Sequence, residues 1–286
     1  MAELLGILFA LIAALAWGSS LVPLKLAGKV DDIQFSTFIA FGIFLSTLIA
    51  MPFLNFSSAF SFYGFISGVM WVLGNLLTII SIRLIGLSKV APIVGAAIIL
   101  VSFLWGIFFF NEQLTSTILA LIGIILLILG LPLIVSGREE KSNSSNKAII
   151  YSLIAGIIFG SYITPLKLSA LQPMEYIFSM ALGILVTGGV VYLLSLYTRK
   201  QKSNYEKMLN GLLSGVLWSV GNLASLFAIN LLGLSIGLPL TQMQLLVAVS
   251  WGIFYFKEVS DKRIIIKIIL GAILLVSGAA LLAFAK

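Results

Sequence analysis

Residues 18–26 read GSSLVPLKL and residues 160–168 read GSYITPLKL, so six of nine positions are identical. Two further segments recur in the same order. SGVMWVLGNL at 67–76 matches SGVLWSVGNL at 214–223 at seven of ten positions. WGIFFFNE at 105–112 matches WGIFYFKE at 251–258 at six of eight positions. The members of the three pairs start 142, 147 and 146 residues apart. Three matches in one order at a nearly constant separation indicate that the chain is an internal duplication.

The sequence around these repeats is strongly apolar. Of the 286 residues, 60% are hydrophobic and 9% are charged, and the mean hydropathy is +1.17. Soluble domains have about 45–50% apolar and about 25% charged residues, so a soluble enzyme, a nucleic-acid-binding protein and a secreted disulfide-linked domain are excluded. Ten runs have the length of about 20 residues that a helix needs to cross a bilayer. They span approximately 3–27, 34–54, 60–82, 89–110, 116–136, 148–170, 174–197, 208–231, 235–256 and 262–284.

The runs predict helices rather than the strands of a membrane barrel. Residues 118–129 are apolar on every face, whereas barrel strands alternate apolar and polar residues. The polar stretch REEKSNSSNK at 138–147 predicts a flexible linker between a first half, 1–137, and a second half, 148–286. Each half holds five helices, and because five is odd the second half enters the membrane from the opposite side. The predicted fold class is an all-α membrane protein with ten transmembrane helices in two inverted five-helix repeats.

The cations are concentrated in alternate connections between the runs. Fifteen of the 17 lysines and arginines fall on one side, and only Lys167 and Lys286 fall on the other. Cytoplasmic loops carry the excess of Lys and Arg, so we expect a multi-pass cell-membrane protein with both termini extracytoplasmic. The net charge of +7 then reflects topology and does not predict a nucleic-acid partner.

The chain contains no cysteine and no histidine. Thiolate, imidazole and zinc chemistry are therefore excluded, and we expect no cofactor and no metal. An enzyme embedded in the membrane would need clustered His, Asp or metal ligands, so we expect no enzymatic activity. No Asp or Glu lies near the middle of a run, where proton-driven transporters usually place an ionisable group. Facilitated exchange, a protonated Glu112 or Glu258, and sodium bound by backbone carbonyls remain three options for coupling.

Two inverted halves can exchange conformations, so that an outward-open cavity becomes inward-open. This is the basis of alternating access, in which the substrate site lies near the midplane between the halves. The duplication therefore favours a secondary transporter whose partners are a small solute and the lipid bilayer. A non-transporting scaffold that retains the duplication as a relic is the alternative from a different class.

The motifs resemble those of the drug/metabolite transporter superfamily, in which ten helices form a five-plus-five inverted repeat. Glu112 and Glu258 would close the fourth helix of each half. Within the superfamily, GSSLVPLK at 18–25, GVMWVLGNL at 68–76 and GLSKVAP at 86–92 are similar to the bacterial glucose/ribose porters. The resemblance covers essentially the whole chain and implies a sugar substrate and proton coupling. Export of amino acids or other small metabolites of the same superfamily is the alternative.

Two Trp–Asn pairs are candidates for substrate binding. Trp71 and Asn75 are four residues apart, as are Trp218 and Asn222, so each pair shares one helix face. An indole can stack on the C–H face of a sugar, and an amide can bind its hydroxyls. The competing interpretation is packing between helices, with Asn hydrogen-bonded across the interface.

A second polar group occurs only in the second half. Thr241, Gln242 and Gln244 lie within the ninth run, whereas the corresponding part of the fourth run, near Val94 and Ala97, is apolar or small. Scaffold features should be duplicated, whereas a site for an asymmetric ligand should not. These uncharged groups therefore suit a neutral polyol, with water-mediated packing as the alternative.

Matched prolines suggest helices that bend at gates. Lys25 and Lys167 each follow a proline, Pro23 or Pro165, by two residues, and a proline removes a backbone N–H and kinks a helix. The lysines either extend to opposite membrane surfaces or contact a phosphate or carboxylate. The residues before the prolines either line the cavity or satisfy freed carbonyls: Ser19, Ser20, Tyr162 and Thr164.

Glu112 and Glu258 are candidates for coupling. Each lies at a helix end beside polar neighbours, and capping or pairing within a loop is the competing interpretation.

Overall fold

The computed structural model describes residues 2–54, 59–111, 113–136, 143–162, 164–169, 171, 173–196, 205–232 and 240–285. In this part of the chain the regular structure is helical throughout. The helices are α1 Ala2–Ser19, α2 Val22–Ala27, α3 Asp32–Leu54, α4 Phe62–Ile85, α5 Leu87–Leu104, α6 Thr117–Ser136, α7 Asn143–Ser161, α8 Thr164–Ser169, α9 Pro173–Leu196, α10 Tyr205–Leu232, α11 Gln244–Ser250 and α12 Lys262–Phe284. One π-helical turn extends α5 over Trp105–Phe109, and another extends α11 over Trp251–Tyr255.

Eight helical segments of the described chain are long and apolar enough to cross a membrane. Two shorter apolar helices, Asn146–Ser161 and Gln244–Tyr255, fall in the sixth and ninth predicted runs. Large apolar side chains such as Ile118 and Phe53 point outward and are exposed, as expected of a surface that faces lipid. The protein is thus an all-helical membrane protein, and the count of ten spans stays a prediction.

Two predicted runs are divided rather than continuous. The first run breaks at Ser20 and Leu21, between α1 and α2, and the sixth run breaks between α7 and α8. Pro23 and Pro165 occupy the first turns of α2 and α8, where a missing N–H costs no helical hydrogen bond. The prolines therefore start new short helices instead of kinking one long helix. In addition, α7 begins at Asn143, inside the stretch 138–147 that was predicted to be a linker.

Glycines allow the central helices to approach closely, in two crossings of the same form. A Cβ atom on Gly68 of α4 would lie 2.3 Å from the carbonyl oxygen of Met180 in α9. A Cβ atom on Gly215 of α10 would lie 2.3 Å from the carbonyl oxygen of Ile39 in α3. The backbones are in contact at both points, so these glycines set the spacing of the helices around the centre.

Two tryptophans make a matching pair of hydrogen bonds near the helix breaks. Trp105 donates through Nε1 to Ser161 Oγ at 2.8 Å, and Trp251 donates through Nε1 to Ser19 Oγ at 2.8 Å. Each bond joins a π-helical turn to the end of a helix far away in sequence. The ends of α7 and α1 are thereby fixed against the ends of α5 and α11.

Candidate functional site: a central cavity with an aromatic wall

A cavity of about 530 Å³ lies among α1, α4, α5, α7, α10 and residues 242–248. Its volume is in the range of small-molecule binding sites. Eight of the predicted binding residues line it: Ser20, Trp71, Asn75, Tyr162, Trp218, Asn222, Gln242 and Gln244. Among the described residues, the wall includes no Asp, Glu, Lys or Arg. Such a surface is suited to a neutral polar solute, because an ion would lose its hydration without gaining an opposite charge.

Three predicted binding residues are not part of the cavity wall. Ser19 accepts the hydrogen bond from Trp251. Thr241 is completely buried, and Thr164 is buried in the first turn of α8. These three side chains lie in the protein around the cavity rather than at its surface.

The two repeated tryptophans meet at the wall of the cavity. The rings of Trp71 and Trp218 are edge to face, with centroids 5.3 Å apart and an interplanar angle of 68°. Phe159 and Tyr162 extend the aromatic surface, with the Phe159 ring 6.3 Å from Trp71 and 6.1 Å from Tyr162. Trp17 fixes the backbone here, because its Nε1 donates to the carbonyl oxygen of Trp218 at 3.1 Å. The result is a fixed aromatic wall of the kind that can stack on a flat ligand.

The two repeated asparagines differ in their partners. Asn75 is buried, and its Nδ2 donates to Ser36 Oγ at 3.0 Å. Asn222 is half-buried, and its amide forms no hydrogen bond within the described chain. The interhelical interpretation therefore describes Asn75, whereas the Asn222 amide remains available to a ligand. The side chains of Gln242 and Gln244 are likewise half-buried at the wall.

Sequence reasoning missed several residues of the wall, among them Trp17, Thr78 and Ser214. Ser214 lies four residues before Trp218, which lies four before Asn222, so the three share one face of α10. The same spacing in the repeated motif SGVLWSVGNL was the signal that could have identified Ser214.

Glu258 is held in a cluster that joins three parts of the chain. Its Oε1 accepts from the backbone N–H of Leu87, and its Oε2 accepts from the N–H and the hydroxyl of Ser88, at 2.7–2.8 Å. Lys25 Nζ of α2 lies 3.0 Å from Oε1. Glu258 thus caps the N-terminus of α5, where the helix dipole favours an anion, and Lys25 pairs with a carboxylate, one of the two alternatives for this lysine.

The contacts of Glu258 also set its ionisation. Burial alone would raise the pKa of the carboxyl, but the hydrogen bonds from Ser88 and Leu87 and the charge of Lys25 bring the pKa below its ordinary value of 4.5. Because the pKa is lower in the folded state, the stabilisation is fully present above 4.5 and is lost as the pH falls through the folded value. Glu258 therefore stays ionised near neutral pH while the cluster is intact.

The repeat counterparts of Glu258 and Lys25 fall outside the described residues. These are Glu112 of the first half and the side chain of Lys167 of the second half. Pro165 is half-buried in α8, and Pro23 is buried in α2.

Membrane-length helices around a solute-sized cavity define this molecule as a multi-pass helical membrane protein. The chain belongs to the sugar transport protein family, whose sequence model matches residues 8–285. It is 28% identical to the glucose uptake protein GlcU of Staphylococcus xylosus, over 95% of each chain. It is 27% identical to the glucose uptake protein GlcU of Bacillus subtilis, over 99% of each chain. A crystal structure with 13% identity superimposes with a TM-score of 0.67 over 96% of this chain and 95% of the other, which shows a common fold.

Proposed function

We propose that this protein is a secondary transporter for a sugar. The observation that carries the proposal is the chemistry of the central cavity, where an aromatic wall meets uncharged amides and hydroxyls and where no described wall residue is charged. A sugar presents an apolar face to an aromatic ring and hydroxyls to amides. The family and the names of the glucose uptake relatives support the same substrate class. An amino-acid exporter would need charged groups for a zwitterion, and none of the described wall residues supplies them.

The transport mechanism we propose is alternating access between two inverted halves, 1–137 and 148–286. The matched crossings support this arrangement, since Gly68 contacts Met180 as Gly215 contacts Ile39. Gly215 of α10 lies 147 residues after Gly68 of α4, and Met180 of α9 lies 141 residues after Ile39 of α3. Reciprocal contacts of this form are those of a two-fold axis, and a two-fold axis in the membrane plane relates inverted halves.

The ends of α5 and α11 support the same arrangement. Both continue into a π-helical turn, and both are followed by a left-handed residue, Asn111 with φ 51° and Lys257 with φ 50°. Left-handed residues other than glycine are uncommon, so the agreement of two such sites at corresponding positions indicates equivalent parts of a repeat.

The Glu258 cluster holds the two halves together in this mechanism. It ties α2, the N-terminus of α5 and the segment after α11 together, and Leu87 of this cluster also borders the cavity. A rearrangement of the halves must break these contacts. Any proton coupling through Glu258 must also follow their release, because the pKa of the carboxyl is lowered while they persist.

The test is a binding screen followed by a flux measurement on the full chain. Purified protein is screened for thermal stabilisation by sugars, polyols and amino acids, and labelled D-glucose uptake is then measured in proteoliposomes with and without a proton gradient. We expect stabilisation by neutral sugars and uptake above that of empty liposomes. Stabilisation by amino acids alone, or no flux of any solute that binds, would overturn the proposed function.

A further inference from the structure

The serine and threonine hydroxyls of the cavity wall are not equivalent. Four of them donate to a carbonyl three or four residues earlier in their own chain segment: Ser20, Thr78, Ser102 and Ser225. Ser214 borders the same cavity, is 1% exposed, and its Oγ has no hydrogen-bond partner in the described structure. A buried hydroxyl without a partner costs free energy, so this group needs a reason to be there.

The counterpart of Ser214 on α4 is fully satisfied. Ser67 stands 147 residues before Ser214, and its Oγ bonds to the carbonyl oxygen of Tyr162 and to the hydroxyl of Tyr176. The position equivalent to Tyr176, by the shift of 141 that relates α3 to α9, is Phe35. Phenylalanine has no hydroxyl, so Ser214 lacks a counterpart of the hydrogen bond between Ser67 and the Tyr176 hydroxyl.

The same difference separates the two asparagines. Asn75 binds Ser36, and the position equivalent to Ser36 by the same shift of 141 is Ile177. An isoleucine side chain cannot form a hydrogen bond with an amide, and the Asn222 side chain has no hydrogen-bond partner among the described residues. The equivalent helices α3 and α9 thus differ at two adjacent positions. These two differences leave two polar groups of α10 without hydrogen bonds, and both groups border the cavity.

We propose that Ser214 and Asn222 form the hydroxyl-binding edge of the cavity, whereas the α4 side provides its apolar wall. The inference rests on the proposed function and specifies how the sugar is oriented. Residues eight apart on a helix are about 12 Å apart along its axis, with Trp218 between them. A six-carbon sugar lying on Trp218 with a hydrogen bond at each end covers this span, whereas a three-carbon polyol is too short. Ser214 already borders the cavity, and the proposed contact requires a rotamer that directs its hydroxyl to the ligand.

The experiment compares Ser214→Ala with Ser219→Ala. Ser219 is the matched control because it lies on the same helix and is also buried without a partner, but it borders a separate cavity of about 20 Å³. Removal of an unsatisfied hydroxyl should leave the melting temperature of either unliganded variant equal to or above that of wild type. D-glucose affinity should fall by about 2- to 10-fold in Ser214→Ala, as for one lost hydrogen bond, and stay unchanged in Ser219→Ala.

Two further measurements identify the ligand contact. Binding of 1-, 2-, 3-, 4- and 6-deoxyglucose is compared with binding of glucose in both proteins. At least one analogue should bind wild type more weakly than glucose binds wild type. The same analogue should bind Ser214→Ala as tightly as glucose binds Ser214→Ala, as a double-mutant cycle requires. Phe35→Tyr supplies Ser214 with the partner that Ser67 has, so it should raise the melting temperature and weaken glucose binding.

The outcomes separate this inference from the proposed function. Equal glucose affinity in wild type, Ser214→Ala and Phe35→Tyr would overturn the inference and leave a sugar transporter with another orientation. Failure of wild type to bind any sugar would overturn both.

Discussion

Gly68→Ala is expected to reduce the yield of folded, monodisperse protein to a small fraction of wild type. The added Cβ would lie 2.3 Å from the carbonyl oxygen of Met180 and 2.5 Å from the amide nitrogen of Ile184. Both atoms belong to the backbone of α9 and cannot be moved by a rotamer change. Overpacking of a core costs about 1–3 kcal/mol or more, and here a whole helix must shift. The yield of monodisperse protein is measured by size-exclusion chromatography, and the melting temperature is measured by thermal unfolding in detergent.

Gly189→Ala is the matched control for this prediction. Gly189 lies in α9, and a Cβ there meets no atom within 4 Å. Alanine is favoured over glycine in a helix by about 1 kcal/mol, so the control should be as stable as wild type or more so. Equal stability of the two variants would contradict the close approach of α4 and α9.

Trp218→Ala is expected to reduce sugar uptake by roughly tenfold or more. The substitution removes one of the two rings of the central pair, and a loss of about 1.4 kcal/mol of binding free energy already lowers affinity tenfold. Trp218→Phe keeps an aromatic face and should retain part of the activity. The measurement is initial uptake rate against D-glucose concentration in proteoliposomes.

Phe108→Ala is the control for the tryptophan variants. The Phe108 ring is 77% exposed on the outer surface of the π-helical turn, so its removal should leave uptake near the wild-type rate. If Trp218→Ala transports as fast as Phe108→Ala, the aromatic wall is not a substrate-binding surface.

The sequence alone predicts the helical membrane class and most helix positions, because apolar length is a strong signal. The predicted run 262–284 coincides with α12, and the run 116–136 differs from α6 by one residue. Trp71 and Trp218, which the repeated Trp–Asn spacing marks in the sequence, both lie at the cavity wall, and their role in substrate binding stays a prediction. The division of the first run was missed because Pro23 can either kink a helix or begin one, and only the backbone distinguishes the two.

The differences between the two halves could not be predicted in the same way. Asn75 and Asn222 stand in nearly identical motifs, and their contrast arises from Ser36 and Ile177 on other helices. Likewise, nothing near Glu258 in sequence indicates that it caps α5, which begins 171 residues earlier at Leu87. Such contacts depend on which helices pack together, and packing is not encoded in local periodicity.

The proposed mechanism requires the two halves to cross the membrane in opposite senses, and cysteine labelling distinguishes this from a parallel arrangement. The chain contains no cysteine, so single substitutions need no background changes. Gln113→Cys and Ser260→Cys place exposed thiols after α5 and α11, at almost corresponding positions of the two repeats. We expect a membrane-impermeant maleimide to label Gln113→Cys in intact cells and Ser260→Cys only after permeabilisation. Labelling of both from the same side would contradict the proposed mechanism.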